Sequence, residues 1–258
     1  MTRNMLLIHG AWQGAWSFDA WRPEMARRGW NITAVDLPGN GWGPHAHDSA
    51  SLEEYVAAAL HALARFDGPA VVVGHSGGGI TASQLAEVAP DRVAALVYLA
   101  GMMLPSGMSF GKLIDLCQQD DPLADLDGIA PFLEWSDDGR FTTAPAVAAR
   151  QIFVPDCEPD AAARAVSLLR PQPESGRKMA PRLTTQRYGR VPRLYVQALQ
   201  DRSVVPPLQQ KMLALSPGAT VIEMDCGHVP QLARPQELAV RLHAALEEML
   251  ATSTTADA

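Results

Sequence analysis

Ser76 is the residue whose surroundings best suit it to covalent chemistry. It stands in Gly74-His75-Ser76-Gly77-Gly78, directly after Val71-Val72-Val73 and before a helix-like stretch from Ile80 to Ala89. A buried strand that stops, turns sharply and opens into a helix is the sequence form of a nucleophile elbow. Gly74 and Gly78 are the positions where a side chain would collide with the adjoining strand or helix. The free N–H groups of the opening helix would face the point where negative charge develops. The predicted chemistry is acyl transfer, with the hydroxyl attacking a carbonyl carbon.

A serine hydroxyl reacts only when a base takes its proton, and that base needs an orienting acid. Sites on open parallel sheets lie beyond the C-terminal strand ends, so the partners should follow later strands in the order serine, acid, histidine. Elimination among seven histidines points to one. His61 and His243 fall within helical patterns, and His45 and His47 follow the second strand. His75 must point away from Ser76 across the turn, and His9 precedes it in a His-Gly turn. His228 alone follows Ser76 on a loop directly after a strand, with Gly227 freeing the turn. For the acid, Asp201 holds the matching place one strand earlier. Asp120 and Asp156 lack a strand to fix them, and Asp225 would have to fold back on the histidine's own loop. The developing oxyanion needs two backbone donors. Gly77 supplies one, and the turn His9-Gly10-Ala11-Trp12 supplies the other through Ala11. Trp12 either walls the pocket or packs beneath whatever covers it.

Composition agrees with one sizeable α/β domain: 258 residues, 47% hydrophobic and 19% charged. A net charge of −7 with no basic block argues against a nucleic-acid partner. Cys117, Cys157 and Cys226 are too few and too scattered for a disulfide framework or a zinc site, and they fit a reducing compartment. Met5 to Ile8 is too short an apolar run for a signal peptide, and no run reaches membrane-spanning length, so a cytoplasmic location is expected. No metal or cofactor is expected, and a homodimer is compatible with the sequence.

The elements that would position these residues alternate. Strands at Asn4 to His9, Asn31 to Asp36, Ala70 onward and Val93 to Ala100 are separated by helices at Asp19 to Arg28, Tyr55 to Phe66 and after the elbow. Gly29 ends the first helix, and Ser51 with Glu54 forms a capping box for the second. The run Gly39-Asn40-Gly41-Trp42-Gly43 reads as a surface loop, because no helix opens on it. The alternation lapses over residues 102–190, where no clean strand is seen. That stretch is expected to be a largely helical lid over the strand ends, with Leu113 to Cys117 and Ala161 to Leu169 helical. Its apolar side chains would pack inward and line a pocket together. Strands return at Arg193 to Leu199 and Ala219 to Met224, and a closing helix runs from Pro235 to Leu250. Residues 1–101 and 191–250 form the core, a mostly parallel sheet of about six strands flanked by helices, and 251–258 form a flexible tail. Phe110, Phe132 and Trp135 in the lid, with Trp12 and Val229, are the candidate substrate-binding residues.

With these residues placed, the chain resembles the α/β-hydrolase superfamily, and within it the plant methylesterase and hydroxynitrile lyase group and bacterial pyrethroid-hydrolase-like esterases. The stretches carrying the likeness are His9 to Trp16, Val35-Asp36-Leu37, Gly74 to Gly78, Ser167 to Pro171, Gln200-Asp201 and Gly227-His228. The resemblance implies the α/β-hydrolase fold, Ser76 as nucleophile, Asp201 as acid, His228 as base, and Ala11 and Gly77 as oxyanion donors. The lyases of that group carry a threonine in the first turn and a lysine after the catalytic histidine. This chain has Gly10-Ala11 and Val229 there, which favours hydrolysis. The esterases usually have a bulky apolar residue after the serine, whereas Gly77 leaves space there. The expected activity is a serine carboxylesterase acting on small apolar esters, with amides or carbamates also open to the same attack. A hydroxynitrile lyase and a slowly hydrolysing small-molecule receptor are the alternatives.

Overall fold

A computed structural model describes residues 3–40 and 50–256. The strands, in chain order, are β1 (Arg3–Ile8), β2 (Trp30–Val35), β3 (Ala70–His75), β4 (Val93–Leu99), β5 (Glu134–Trp135), β6 (Phe141–Thr143), β7 (Gln172–Pro173), β8 (Arg193–Ala198) and β9 (Ala219–Met224). The helices are α1 (Arg22–Ala26), α2 (Leu52–Leu63), α3 (Gly78–Val88), α4 (Phe110–Asp120), α5 (Ala146–Ile152), α6 (Pro159–Leu168), α7 (Glu174–Arg177), α8 (Pro206–Leu215), α9 (Pro230–Ala233) and α10 (Pro235–Ala256). Six strands form one sheet in the order β2-β1-β3-β4-β8-β9, every neighbouring pair parallel.

A parallel sheet covered on both faces needs strands that are apolar on both sides, and this is why Met5-Leu6-Leu7-Ile8 and Val71-Val72-Val73 carry no polar alternation. Leu6, Ile8 and Val72 face a core shared with Tyr55, Val56 and Leu85 of α2 and α3. Met5, Leu7, Val71 and Val73 face the opposite core, with Trp21, Leu238, Leu242 and Leu246. The α2 capping box forms as expected: Glu54 N–H donates to Ser51 Oγ at 3.2 Å, and Ser51 N–H donates to Glu54 Oε2 at 2.8 Å.

Three sequence expectations need correction. The expected helix from Asp19 to Arg28 is a 3₁₀ turn over Ala15–Phe18 followed by the short α1, which still ends at Gly29 with φ +84°. The insertion between β4 and β8 is not free of strands: β5, β6 and β7 make a small antiparallel sheet. Strands of two or three residues show no period of two, and β7 contains Pro173, so periodicity could not expose them. The closing helix continues to Ala256 instead of ending at Leu250. Thr252 Oγ1 donates to the carbonyls of Glu248 and Met249, so its hydroxyl bonds within the helix. Gly41 to Gly43, His45 and His47 lie outside the described residues. Among the described residues, no helix is long and apolar enough to cross a membrane.

The close packing at the end of β3 is the feature that bears on the site. A Cβ added to Gly78 would stand 2.5 Å from the Ile8 carbonyl oxygen and 2.6 Å from that of His9. One added to Gly74 would stand 2.7 Å from the Gly78 oxygen. These neighbours are backbone atoms and cannot turn aside. Gly78→Ala is therefore expected to lower the unfolding free energy by about 1–3 kcal/mol in urea titration. An unchanged midpoint would show that β1 and α3 can separate without loss.

Candidate active site

Ser76 sits between β3 and α3 with φ +51°, in the left-handed region that disfavours a residue with a side chain. Its own backbone secures it. Ser76 N–H donates to Leu99 O at 3.3 Å, and Ser76 O accepts from Gly79 N–H at 3.0 Å and Met102 N–H at 2.8 Å. The side chain lies on the wall of a cavity of about 250 Å³.

His228 and Asp201 meet as the strand order requires. β8 and β9 are adjacent and parallel, so the loops after them emerge at the same edge. His228 Nδ1 and Asp201 Oδ2 are 2.8 Å apart, and both side chains are almost wholly buried. A carboxylate only accepts, so Nδ1 carries a proton, and in the neutral ring Nε2 is the nitrogen that offers a lone pair. Asp201 Oδ1 accepts from the N–H groups of Ser203 (2.7 Å) and Val204 (3.0 Å), and Oδ2 also accepts from Gln209 Nε2 (3.3 Å). The other acids are engaged elsewhere: Asp120 with Lys211, Asp225 with Gln200, and Asp156 with the Gly227 N–H at 2.8 Å. No hydrogen bond joins the Ser76 hydroxyl to His228 among the described residues. Such bonds are often long until substrate binds.

Two contacts hold the main chain on either side of the His228 ring. His75 Nε2 lies 2.9 Å from the His228 carbonyl oxygen, which can only accept, so His75 is the donor. The two rings lie 4.8 Å apart. Asp156, from the insertion, holds the preceding amide. The sequence did not show that His75 grips the histidine loop. Phe153, also from the insertion, lies 5.7 Å from the His228 ring.

The first turn comes up beside the elbow. A Cβ on Gly10 would stand 2.7 Å from Ser76 Cβ, and one on Gly77 would stand 4.0 Å from the Ala11 nitrogen. Ala11 and Gly77 both line the cavity, and neither N–H has a partner among the described residues. Leu37 N–H donates to His9 Nε2 at 3.0 Å, which fixes the His9 proton on Nδ1, facing Gly10 O at 2.8 Å. Trp12 also has a positive φ, +61°. The insertion pins it. Its N–H donates to Gln172 Oε1, its Nε1 to Thr142 O, and its carbonyl accepts from Arg170 N–H. Phe153 stacks on its ring at 5.8 Å, and the Arg177 guanidinium lies 5.0 Å above it.

Trp12 and Phe110 line the cavity as expected, whereas Phe132, Trp135 and Val229 do not. Trp135 lies on the short strand β5 and Phe132 in a 3₁₀ turn, and both are about half exposed. Ile129 and Ala130 of that same turn face the cavity instead. Val229 is fully buried against the Phe153 and Ile152 cluster. Asn40 corrects the surface-loop reading: it is 1% exposed and lines the cavity together with Tyr55 and Gln172. Nothing in the spacing of those three residues foretold their meeting. Burial pushes the Tyr55 phenol up to about 12, so it stays a donor at neutral pH.

The fold has known relatives. The profile of the alpha/beta hydrolase family matches residues 5–241. The chain belongs to that family. It is 28% identical over 250 residues to a pyrethroid hydrolase of Sphingobium wenxiniae, covering 92% of this chain and 85% of that protein. It is 26% identical to methylesterase 9 of Arabidopsis thaliana, covering 93% and 96%. The crystal structure of a pyrethroid hydrolase from Sphingobium faniae superposes with a TM-score of 0.83 at 26% identity, covering 95% and 97%.

Burial lowers the pKa values of His9 and His75 below the ordinary 6.5, that of His75 well below it, and the neighbouring His228 ring further disfavours a proton on His75. Each takes up its proton at a lower pH in the folded protein than in the unfolded chain, where it does so near the ordinary value. The unfolded state therefore binds more protons as the pH falls below 6.5, and stability drops. Each histidine is expected to contribute a loss of up to about 1.4 kcal/mol per pH unit between its unfolded and folded values. Urea unfolding at about pH 7.5 and about pH 5.5 measures this, and equal stabilities would refute it.

Proposed function

We propose that this protein is a serine carboxylesterase. Ser76 Oγ attacks the acyl carbon of an ester while His228 Nε2 accepts its proton. The N–H groups of Ala11 and Gly77 receive the charge that gathers on the carbonyl oxygen. His228 then gives the proton to the departing alkoxide, leaving an acyl group on Ser76. Water, deprotonated by the same imidazole, attacks that acyl group and releases the acid. Asp201 holds the imidazole in the productive tautomer and stabilises its cation without taking the proton.

The observation that carries this reading is the buried 2.8 Å pairing of His228 Nδ1 with Asp201, at the sheet edge where Ser76 stands on the cavity wall. Relatives named pyrethroid hydrolase and methylesterase support an ester as the bond cleaved. A cavity of about 250 Å³, walled by side chains such as Met102, Phe110, Ile114 and Ile129, suits a small, largely apolar ester. Cyanohydrin cleavage is disfavoured, because the residue after His228 is a buried valine with no cation to receive cyanide. The cysteines are unpaired, which supports the cytoplasmic location expected from the sequence.

Ser76→Ala is expected to reduce kcat for p-nitrophenyl butyrate by at least about a thousandfold. A fluorophosphonate should add once to the wild-type protein by mass spectrometry and not at all to the variant. Hydrolysis at the wild-type rate by Ser76→Ala, or labelling at another residue, would exclude the mechanism.

A further inference from the structure

One stretch of the cavity wall is polar, and its hydrogen bonds can be followed from a single unambiguous donor. The Trp12 backbone N–H can only donate, and its acceptor is a terminal atom of Gln172 at 3.2 Å, which is therefore Oε1. The other terminal atom, Nε2, directs its two protons to the Pro173 carbonyl (3.3 Å) and the Tyr55 hydroxyl (3.1 Å). Tyr55 has thus accepted once and gives its one proton to Asn40 at 3.0 Å, which makes that atom Oδ1. Asn40 Nδ2 then donates one proton to Gln172 Oε1 at 2.6 Å. The Gln172 amide and the Tyr55 hydroxyl proton are fully used. The second N–H of Asn40 is left over, with no acceptor among the described residues.

The position of this proton matters because Asn40 is 1% exposed and lines the same cavity as Ser76. A buried donor that lines a cavity and has no acceptor among the described residues is placed to meet an oxygen of a bound molecule. The wall is also shaped around this network. A Cβ added to Gly176 would stand 2.7 Å from both Gln172 Nε2 and Tyr55 OH. The acceptor should be uncharged, since one neutral N–H in a nearly dry wall cannot replace the hydration of a carboxylate. The cations of the same lining do not alter this, because Arg177 and Lys178, which both engage Glu174, are balanced by Glu174 and Asp127.

We propose that Asn40 is a specificity-determining residue, reading a second, uncharged oxygen acceptor such as a ketone or ether that the ester substrate carries away from its scissile carbonyl. The preferred substrates are therefore oxygen-bearing esters, not plain hydrocarbon ones. This inference rests on the esterase reading above.

The test compares methyl heptanoate with its keto analogues, the carbonyl moved from the fourth to the sixth carbon, and a matched pair with the ketone in the alcohol half. Each kcat/KM is divided by the rate of alkaline hydrolysis of the same ester, which removes intrinsic reactivity. At least one keto ester is expected to exceed its parent by about three- to tenfold, the worth of one neutral hydrogen bond. Asn40→Asp keeps the acceptor for Tyr55 and loses both donors, and Asn40→Leu loses all of them. Either should bring the ratio to about one by removing that bond. Tyr55→Phe leaves the second Asn40 N–H in place and should keep the preference. The ratio does not depend on the fraction of protein folded. The wild-type ratio alone also decides if the Asn40 variants fail to fold, because a wild-type ratio near one overturns the proposal. A preference that survives in Asn40→Asp or Asn40→Leu overturns it too, as does one lost in Tyr55→Phe but kept without Asn40. Hydrolysis that persists in Ser76→Ala would instead defeat the esterase reading, which separates the two failures.

Discussion

Backbone atoms in contact at the end of β3 are the constraint from which the rest of the site follows. Ser76 adopts φ +51°, a conformation that costs a residue with a side chain about 1–3 kcal/mol. Such strain persists only where the surroundings leave no alternative. Here Gly74, Gly78 and Gly79 bring β3 and α3 against the end of β1 and against Met102, at distances that admit no Cβ. The same contacts set the first turn beside the serine, because Gly10 lies where a side chain would strike Ser76 itself. Strain at the serine and the approach of the Ala11 amide are thus one packing event.

The insertion between β4 and β8 reaches both ends of the site. It holds the strained Trp12 through Gln172, Thr142, Arg170 and Phe153, which fixes the turn carrying Ala11. It holds the histidine loop through Asp156 on the Gly227 amide and Phe153 beside the His228 ring. A segment with that many directional contacts is part of the site's frame and not a loose cover. From the core side, His75 completes the grip on the His228 carbonyl. A buried histidine beside Ser76 thereby serves the loop of another histidine.

The parts of this molecule governed by short-range rules were legible in the sequence. Val71 to Gly78 announced strand, turn and helix because a β-branched run, a serine and glycines at that spacing fit little else. The meeting of His228 and Asp201 could be expected because parallel strands deliver their loops to one edge. The capping box at Ser51 and Glu54 is a local motif and formed as such. What could not be read depends on long-range meetings of small elements. The two-residue strands of the insertion carry no period, and Phe132 and Trp135 turned outward because the orientation of a short turn is set by its neighbours. Asn40 looked like loop material because glycines surround it. Only the arrival of Tyr55 and Gln172, from positions far along the chain, makes it a buried wall residue.

In the proposed reading, chemistry and selection draw on different parts of the fold. Ser76, Asp201 and His228 stand on loops after β3, β8 and β9, strands locked in register by a shared sheet, so their geometry is inherited from the core. The polar wall is assembled from the loop after β2, from α2 and from β7, which share no sheet register with one another. Hydrogen bonds among the side chains themselves hold that wall together, and a substitution there shifts partners without disturbing the sheet. One neutral hydrogen bond changes a rate by about tenfold at most, whereas loss of the nucleophile changes it by orders of magnitude. On that proposal, substrate preference would drift by single substitutions around Asn40 while Ser76, Asp201 and His228 stay where the sheet holds them.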